Sequence, residues 1–505
     1  MSKAVRTIIV ISLAFVVLGV GALFVISTGI STDTARQAIE RRMAEITGLP
    51  VRLRGRTEVH FFPAPYAVFN GVRIASSDGP TIITIERVEA DFDMVSLFRS
   101  IPTFSSFHLF SPDIRFGVDQ NGLLRWPSVE AVARQGSATE APPALADNLA
   151  LSDIIRENLP PTIGRISFEG GTLGFVDQEG NNVPFVSSLD GSLNWPRRDG
   201  ALSLQASFEH DGTDGQFSLN TDSVGDLYAV DGGGLTFAFT LDGTRIEFDG
   251  RSAIAEPRFA TGALLLEFER PGAINRWIDD APLLTAGIDM LRLSGEASAT
   301  ANRLRMDNAT LVVNEESGSG AVELLRRDSG RRVLTSTLAF ETLDVSRLSL
   351  PTWRAMTRLV EPAGGLRQYL TGVDADLRVS ASTAQFFDTE LTNFAGALTV
   401  RDEMFSVDIG DATYAGGSVQ MRYTDAQKTG DKGAQLSFRM SDVNSATLAD
   451  HFELGPLFPR AQLDVTGDFQ GVSGTLMQFW NSATGKLTLS AEAGNIPGVQ
   501  LDGAF

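Results

Sequence analysis

From Val51 onward the chain alternates between apolar and polar positions. In Arg87–Asp93, Val88, Ala90 and Phe92 point one way, while Arg87, Glu89, Asp91 and Asp93 point the other. Leu202, Leu204, Ala206 and Phe208 alternate, a turn follows, and Phe217 and Leu219 continue. Leu235, Phe237, Phe239 and Leu241 run into Asp242-Gly243-Thr244, then Ile246 and Phe248. The same period recurs at Phe405, Val407 and Ile409, at Leu436, Phe438 and Met440, and at Leu487 and Leu489. Period two between Gly, Asp and Asn turns predicts half-buried strands in antiparallel hairpins and meanders. Helical spacing is confined to Ala35–Ile46, Ile274–Met290, Pro351–Leu370 and Ser445–Phe452. Ser128–Asp153, rich in Ala, Pro and small polar residues, reads as a linker or long loop, and Thr424–Gln435 as an exposed hairpin loop. Leu189–Trp195, Phe394–Val400 and Ala483–Leu489 each set a glycine two residues before a leucine and read as strand openings, without a fixed repeat period.

The N-terminus differs. Ile8–Ile26 carries no charge and reaches roughly 28 Å as a helix, close to the hydrocarbon thickness of a bilayer. Lys3 and Arg6 flank it on the side expected to stay cytoplasmic, which sends the body across the membrane. A cleaved signal peptide is the competing reading, but its apolar core is shorter, about 7–15 residues. The predicted layout is a basic tail (1–7), an anchor (8–26), a short helix (27–48), an N-terminal β-region (49–127), a linker (128–155) and a long β-region with short helices (156–505).

Composition narrows the function. The net charge of −20 argues against binding nucleic acid, which needs a basic surface to neutralise phosphates. The absence of cysteine removes disulfides, thiolate metal sites and a cysteine nucleophile. Phe 32 against Tyr 5 and Trp 5 suits apolar surface more than hydrogen-bonded recognition.

No catalytic constellation is legible. Gly485-Lys486 lacks the upstream glycine of a phosphate-binding loop. Glu316–Val322 carries Ser317 where a nucleophile elbow needs its first glycine, and reads as a turn. His60, His108, His210 and His451 are too scattered for a metal site, and Asp211–Gly215 reads as a hairpin turn, lacking the ligand count of a calcium loop. The carboxylates alternate with apolar residues and so belong to solvated faces. The expectation is a protein without catalytic residues, metal or cofactor.

The chemistry then lies in the apolar face itself. Its candidate positions are Val88, Phe92, Phe208, Phe237, Phe239 and Phe248 in the first half. Phe405, Val407, Leu436, Phe438, Leu487 and Leu489 continue them in the second. Such residues line a groove or fill a closed core, and alternation alone does not separate the two.

The start of the body resembles that of the AsmA family. The resemblance rests on Thr47-Gly48, Arg54-Gly55, Pro63-Ala64-Pro65 and Val72-Arg73-Ile74, then Pro112, Gly122 and Trp126, with Arg125 where many members have Asn. Gly485, Gly494, Ile496, Gly498 and Leu501 are similar to the family's closing pattern. Members usually continue past it, which leaves a short member and a truncated chain as alternatives. The resemblance implies a single-pass anchor in the inner membrane of a Gram-negative envelope and a periplasmic body. The implied fold is mainly β: an elongated, curled antiparallel sheet with an apolar groove and a few short helices. It also implies kinship with TamB and bridge-like lipid transfer proteins, and a role in phospholipid movement or outer-membrane homeostasis. The expected partners are phospholipids and the inner membrane, together with outer-membrane or periplasmic proteins, but no nucleic acid. The alternative is a structural or chaperone-like factor for outer-membrane protein assembly, offering sheet edges to client strands.

Overall fold

The computed structural model describes residues 32–47, 51–60, 62, 64–75, 81–93, 103–118, 124–125, 164–176, 182–255, 257–269, 288–327, 330–344, 373–386, 389–401, 404–426, 433–451, 458, 460–473 and 476–495. They fall into two compact units, Met1–Asp242 with Asp249–Arg258, and Gly243–Phe248 with Phe259–Phe505. Among the described residues no helix is long and apolar enough to cross a membrane. The run Ile8–Ile26 and the helical readings over Ile274–Gly287 and Pro351–Leu370 lie outside them.

The first unit opens with helix α1 (Thr32–Thr47). Strands β1 (Val51–Leu53), β2 (Thr57–His60), β3 (Tyr66–Ala75), β4 (Thr81–Phe92), β5 (Phe104–Val118) and β6 (Leu124–Arg125) follow. Then come β7 (Gly164–Val176), β8 (Asn182–Trp195), β9 (Leu202–His210), β10 (Thr213–Thr221), a helical turn α2 (Val224–Leu227) and β11 (Gly233–Leu241). Strand β12 spans Thr244–Ala253. Asp211-Gly212 forms the β9–β10 hairpin turn, both residues with positive φ.

The second unit holds β13 (Phe259–Glu269), β14 (Met290–Thr300), β15 (Arg303–Val313), β16 (Glu316–Arg326), β17 (Arg332–Asp344) and β18 (Val373–Phe386). It continues through β19 (Thr389–Arg401), β20 (Met404–Tyr414), β21 (Gly417–Ala426), β22 (Ala434–Asn444), α3 (Ser445–His451), β23 (Arg460–Gly471), α4 (Leu476–Ser482) and β24 (Thr484–Asn495). Glu316–Val322 is strand, not the turn its glycines suggested; the turn is Asn314-Glu315 just before it.

Most strands pair antiparallel with their chain neighbours. The alternation misses two exceptions among the described residues: β5 with β7, and β17 with β18, run parallel. A parallel partner needs a crossover of about a dozen residues or more. Long connections, 119–163 and 345–372, intervene at these two places. The low-complexity stretch Ser128–Asp153 belongs to the first.

Residues of positive φ line up across the first unit, and the register slips beside two of them, at Phe168/Gly171 and Ser187/Asp190. Gly71 on β3, Ser111 on β5, Gly170 on β7 and Ser188 on β8 have φ of 65°, 49°, 63° and 48°. Pairing register places them at a common level, since Asn70 faces Arg87, Arg87 faces Phe110, Phe110 faces Glu169, and Gly171 faces Leu189. A bulge bends its strand and tightens its twist, which applies here to the β7–β8 and β8–β9 ladders. The backbone N–H of Gly170 donates to Asp190 Oδ1 at 2.7 Å. In the second unit Asn393 and Asp442 occupy the left-handed region, and the Asp442 N–H donates to Asp464 Oδ1 at 3.0 Å.

The best-buried core lies where α1 covers β1–β5. Ala35, Ile39 and Met43 recur every fourth residue, so one stripe of the helix faces the sheet. They pack with Phe69, Val72, Ile74, Ile85, Val88, Ala90, Phe92 and Phe104. Phe104 stacks on Phe92 at 4.9 Å and meets Phe69 edge-on at 6.2 Å. The helix is also tied by polar contacts to β1: the Leu53 carbonyl accepts from the Arg36 guanidinium, and the Leu53 N–H donates to Glu40 Oε1 at 3.3 Å.

Candidate functional site

Pairing register turns the alternation into continuous apolar rows. In the first unit one row runs Val59, Ala67, Ala90, Phe107, Ile166, Leu193, Leu204, Leu219, Phe237. The next runs Phe69, Val88, Leu109, Phe168, Gly191, Ala206, Phe217, Phe239. Both start beneath α1 and leave it. Ala67, Ala90 and Phe107 are at most 3% exposed, whereas Ile166, Leu193, Leu204, Leu219 and Phe237 are only half-buried. Across the parallel β5–β7 step the face changes from buried to half-buried, with Ile166 still packed against the edge of the core under α1. At one end of it, the turn of α2 is tied to the β8–β9 connection: the Val224 and Gly225 N–H groups donate to the carbonyls of Gly200 and Asp199.

The second unit repeats the pattern. One row runs Val322, Ser336, Leu377, Leu398, Val407, Tyr423, Leu436, Phe469, Gly485. Its neighbour runs Gly320, Leu338, Val379, Gly396, Ile409, Met421, Phe438, Gly467, Leu487. Among the described residues, short helices cover only parts of this face. Leu448 of α3 packs with Val443 and Leu463, and Phe479 of α4 is buried over Gly471.

The sequence candidates divide accordingly. Val88 and Phe92 belong to the sealed core under α1, 0% and 4% exposed. Phe208, Phe237 and Phe239 are half-buried on β9 and β11 of the first unit, and Phe248 is half-buried on β12. Phe405, Val407, Leu436 and Phe438 are half-buried on the face of the second unit. Leu487 and Leu489 on β24 are 59% and 53% exposed. The histidines sit on separate elements, β2, β5, β9 and α3.

Two features escape the alternation. The first is polar. Tyr423 and Asp425 share the inner face of β21; Asp425 is 5% exposed and faces Phe405 and Ala434. The Tyr423 hydroxyl donates to Asp425 Oδ2 at 3.4 Å, and its ring meets Phe479 edge-on at 5.9 Å. Burial, then the adjacent Asp425 carboxylate, pushes this hydroxyl well above the usual tyrosine range.

The second is a pairing of phenylalanine with glycine. Phe208 faces Gly215, Phe168 faces Gly191, Phe340 faces Gly318, Phe438 faces Gly467 and Phe469 faces Gly485 across neighbouring strands. In each pair the ring occupies the space a glycine Cβ would take: the nearest ring atom is 2.4–2.7 Å from that position. The rings therefore lie flat on the sheet instead of standing away from it. Phe394 does the same along its own strand over Gly396. Gly191, Gly396 and Gly485 are the glycines of the loose Gly-x-Leu repeat. Of the three only Gly485 opens a strand; the other two are mid-strand seats for aromatic rings.

The outer face carries the charge. Arg–carboxylate pairs two residues apart, such as Arg305 with Asp307 at 2.7 Å and Arg245 with Glu247 at 2.7 Å, run along single strands. Each is exposed and contributes little to stability.

No curated protein and no solved structure matches this chain. A family model does match, over residues 1–351, and it spans the helix, the sealed core, the half-buried face of the first unit and β13–β17. By that match, the chain belongs to the AsmA family.

Proposed function

We propose that this protein, anchored in the inner membrane with its N-terminus cytoplasmic and its body periplasmic, binds and conducts phospholipids along its apolar faces and supports outer-membrane lipid homeostasis. The observation that carries the reading is the change along one row, from Phe107 at 3% exposed to a half-buried Ile166 on the paired strand and onward to Phe237. A row built only as core stays buried; here, among the described residues, exposure rises along the row while it remains apolar. Acyl chains supply the missing layer, each CH₂ removed from water contributing about 0.8 kcal/mol. Family membership supports an envelope role in lipid transport or assembly. The reading uses no catalytic group, metal or cofactor.

The test is photocrosslinking in living cells, with benzoylphenylalanine at inner positions Phe237 or Leu436 and at outer positions Thr236 or Ser437. Phospholipid adducts at the inner positions alone are expected. Adducts to β-barrel polypeptides would instead favour an assembly factor, and equal labelling of both faces would remove the reading.

A further inference from the structure

From the phenylalanine–glycine pairs we infer that Gly467 and Gly215 set the clearance above the apolar floor, and so how much acyl chain it admits. This rests on the lipid-binding reading above. At these two positions the three atoms nearest a would-be Cβ are all ring atoms: Phe438 Cε1 and Cζ with Phe469 Cε2 at Gly467, and Phe208 Cζ, Cε2 and Cδ2 at Gly215. No backbone atom is among them, in contrast to Gly191 and Gly485, where a carbonyl oxygen lies at 2.2 and 2.1 Å. A methyl at 467 or 215 therefore leaves the strand in place and displaces a ring. Phe438 packs on one side against the Val443 and Leu463 cluster, but both it and Phe208 are only half-buried, so the displaced ring moves away from the sheet.

The seats also have an arrangement. Phe438 and Phe469 lie on adjacent rows and on paired strands, their rings stacked at 6.3 Å with planes 13° apart. Two flat rings over two glycines give a low aromatic floor beside Leu436 and Met421. Burial of a phenylalanine requires no such seat; a β-branched partner would hold the ring upright and bury it equally. Glycine weakens a strand interior, so seating the rings low is bought with strand stability. Low rings leave room above the sheet for a second layer that the described residues do not provide.

The experiment uses the full-length chain in its native membrane, with the photoprobe at Met421, one strand from Phe438. Gly467→Ala is expected to lower the phospholipid adduct severalfold. Adding Phe438→Ala to Gly467→Ala removes the raised ring and is expected to restore the adduct, although it also removes apolar contacts and makes the chain easier to unfold. Thermal protection from protease in the same membranes reads stability separately. Capacity and stability thus move in opposite directions in the double variant. An unchanged adduct in Gly467→Ala, or a further loss in the double variant, would show the pairs to be structural only and overturn the inference. A lipid adduct absent from the unsubstituted chain would overturn the lipid reading itself, and this inference with it.

Discussion

Asp374 and Arg331 close the parallel junction of the second unit: the Arg331 Nε donates to Asp374 Oδ1 at 2.7 Å, and its second nitrogen approaches the same oxygen at 2.7 Å. Asp374 is 5% exposed and lies at the start of β18, facing Val333 of β17. Arg327 adds a longer contact to Oδ2 at 3.4 Å. The pair holds the β16–β17 turn against a strand that follows the connection 345–372 and pairs in parallel, so that no tight turn fixes its register. Asp374→Ala leaves a guanidinium partly buried without this carboxylate and is expected to cost about 3 kcal/mol. Urea unfolding should show a lower midpoint, and a change under about 0.5 kcal/mol would mean that the junction is held by its strand ladder alone.

Covered and uncovered parts of the apolar face should respond differently to truncation. Ile39→Ala in α1, at a fully buried position, is expected to cost about 2–4 kcal/mol. Leu489→Ser, at a side chain 53% exposed, is expected to stay within about 0.5 kcal/mol. Equal losses at the two sites would indicate that the face near β24 is filled by protein.

The β20–β21 turn carries a correctable strain. Ala415 and Gly416 have φ of 48° and 79°, the signature of a two-residue turn with both central residues left-handed. Alanine is a poor choice there, whereas asparagine tolerates the conformation. Ala415→Asn is expected to raise stability by about 0.5–1 kcal/mol, read as a higher melting temperature. A lower one would count against the turn geometry.

Tyr423 predicts a fall in stability at alkaline pH. Its folded-state pKa is raised above the ordinary value of 10.0 by burial and by Asp425. The hydroxyl therefore stays protonated in the folded chain while the unfolded chain ionises. Its contribution is complete below about pH 10 and is lost as pH climbs toward the folded value. Tyr423→Phe should flatten that part of the stability profile above about pH 10. An identical profile in both chains would place the alkaline loss elsewhere.

Much of this architecture was legible before any coordinates. Alternation marked the strands because the two faces meet different environments, and Ala35, Ile39 and Met43 showed their helical stripe for the same reason. The parallel steps were hidden, since strand direction depends on crossovers and leaves no mark on the strand's own pattern. Alternation also cannot tell degrees of cover: Val88 and Phe237 obey the same period, yet Val88 is sealed in the core under α1 and Phe237 is half-buried. The aromatic seats left a trace in the Gly-x-Leu repeat, but its meaning needed the register that sets Phe168 over Gly191 and Phe469 over Gly485.

The rows have a consequence for how such a chain can change in length. Within each unit nearly every strand pairs only with its immediate neighbours, so an extra hairpin inserted in register adds its own segment to every row and disturbs none already present. Two strands would lengthen a row by about 9.6 Å. Span is then an adjustable quantity, tuned by duplication of hairpins, while the chemistry of the surface stays constant.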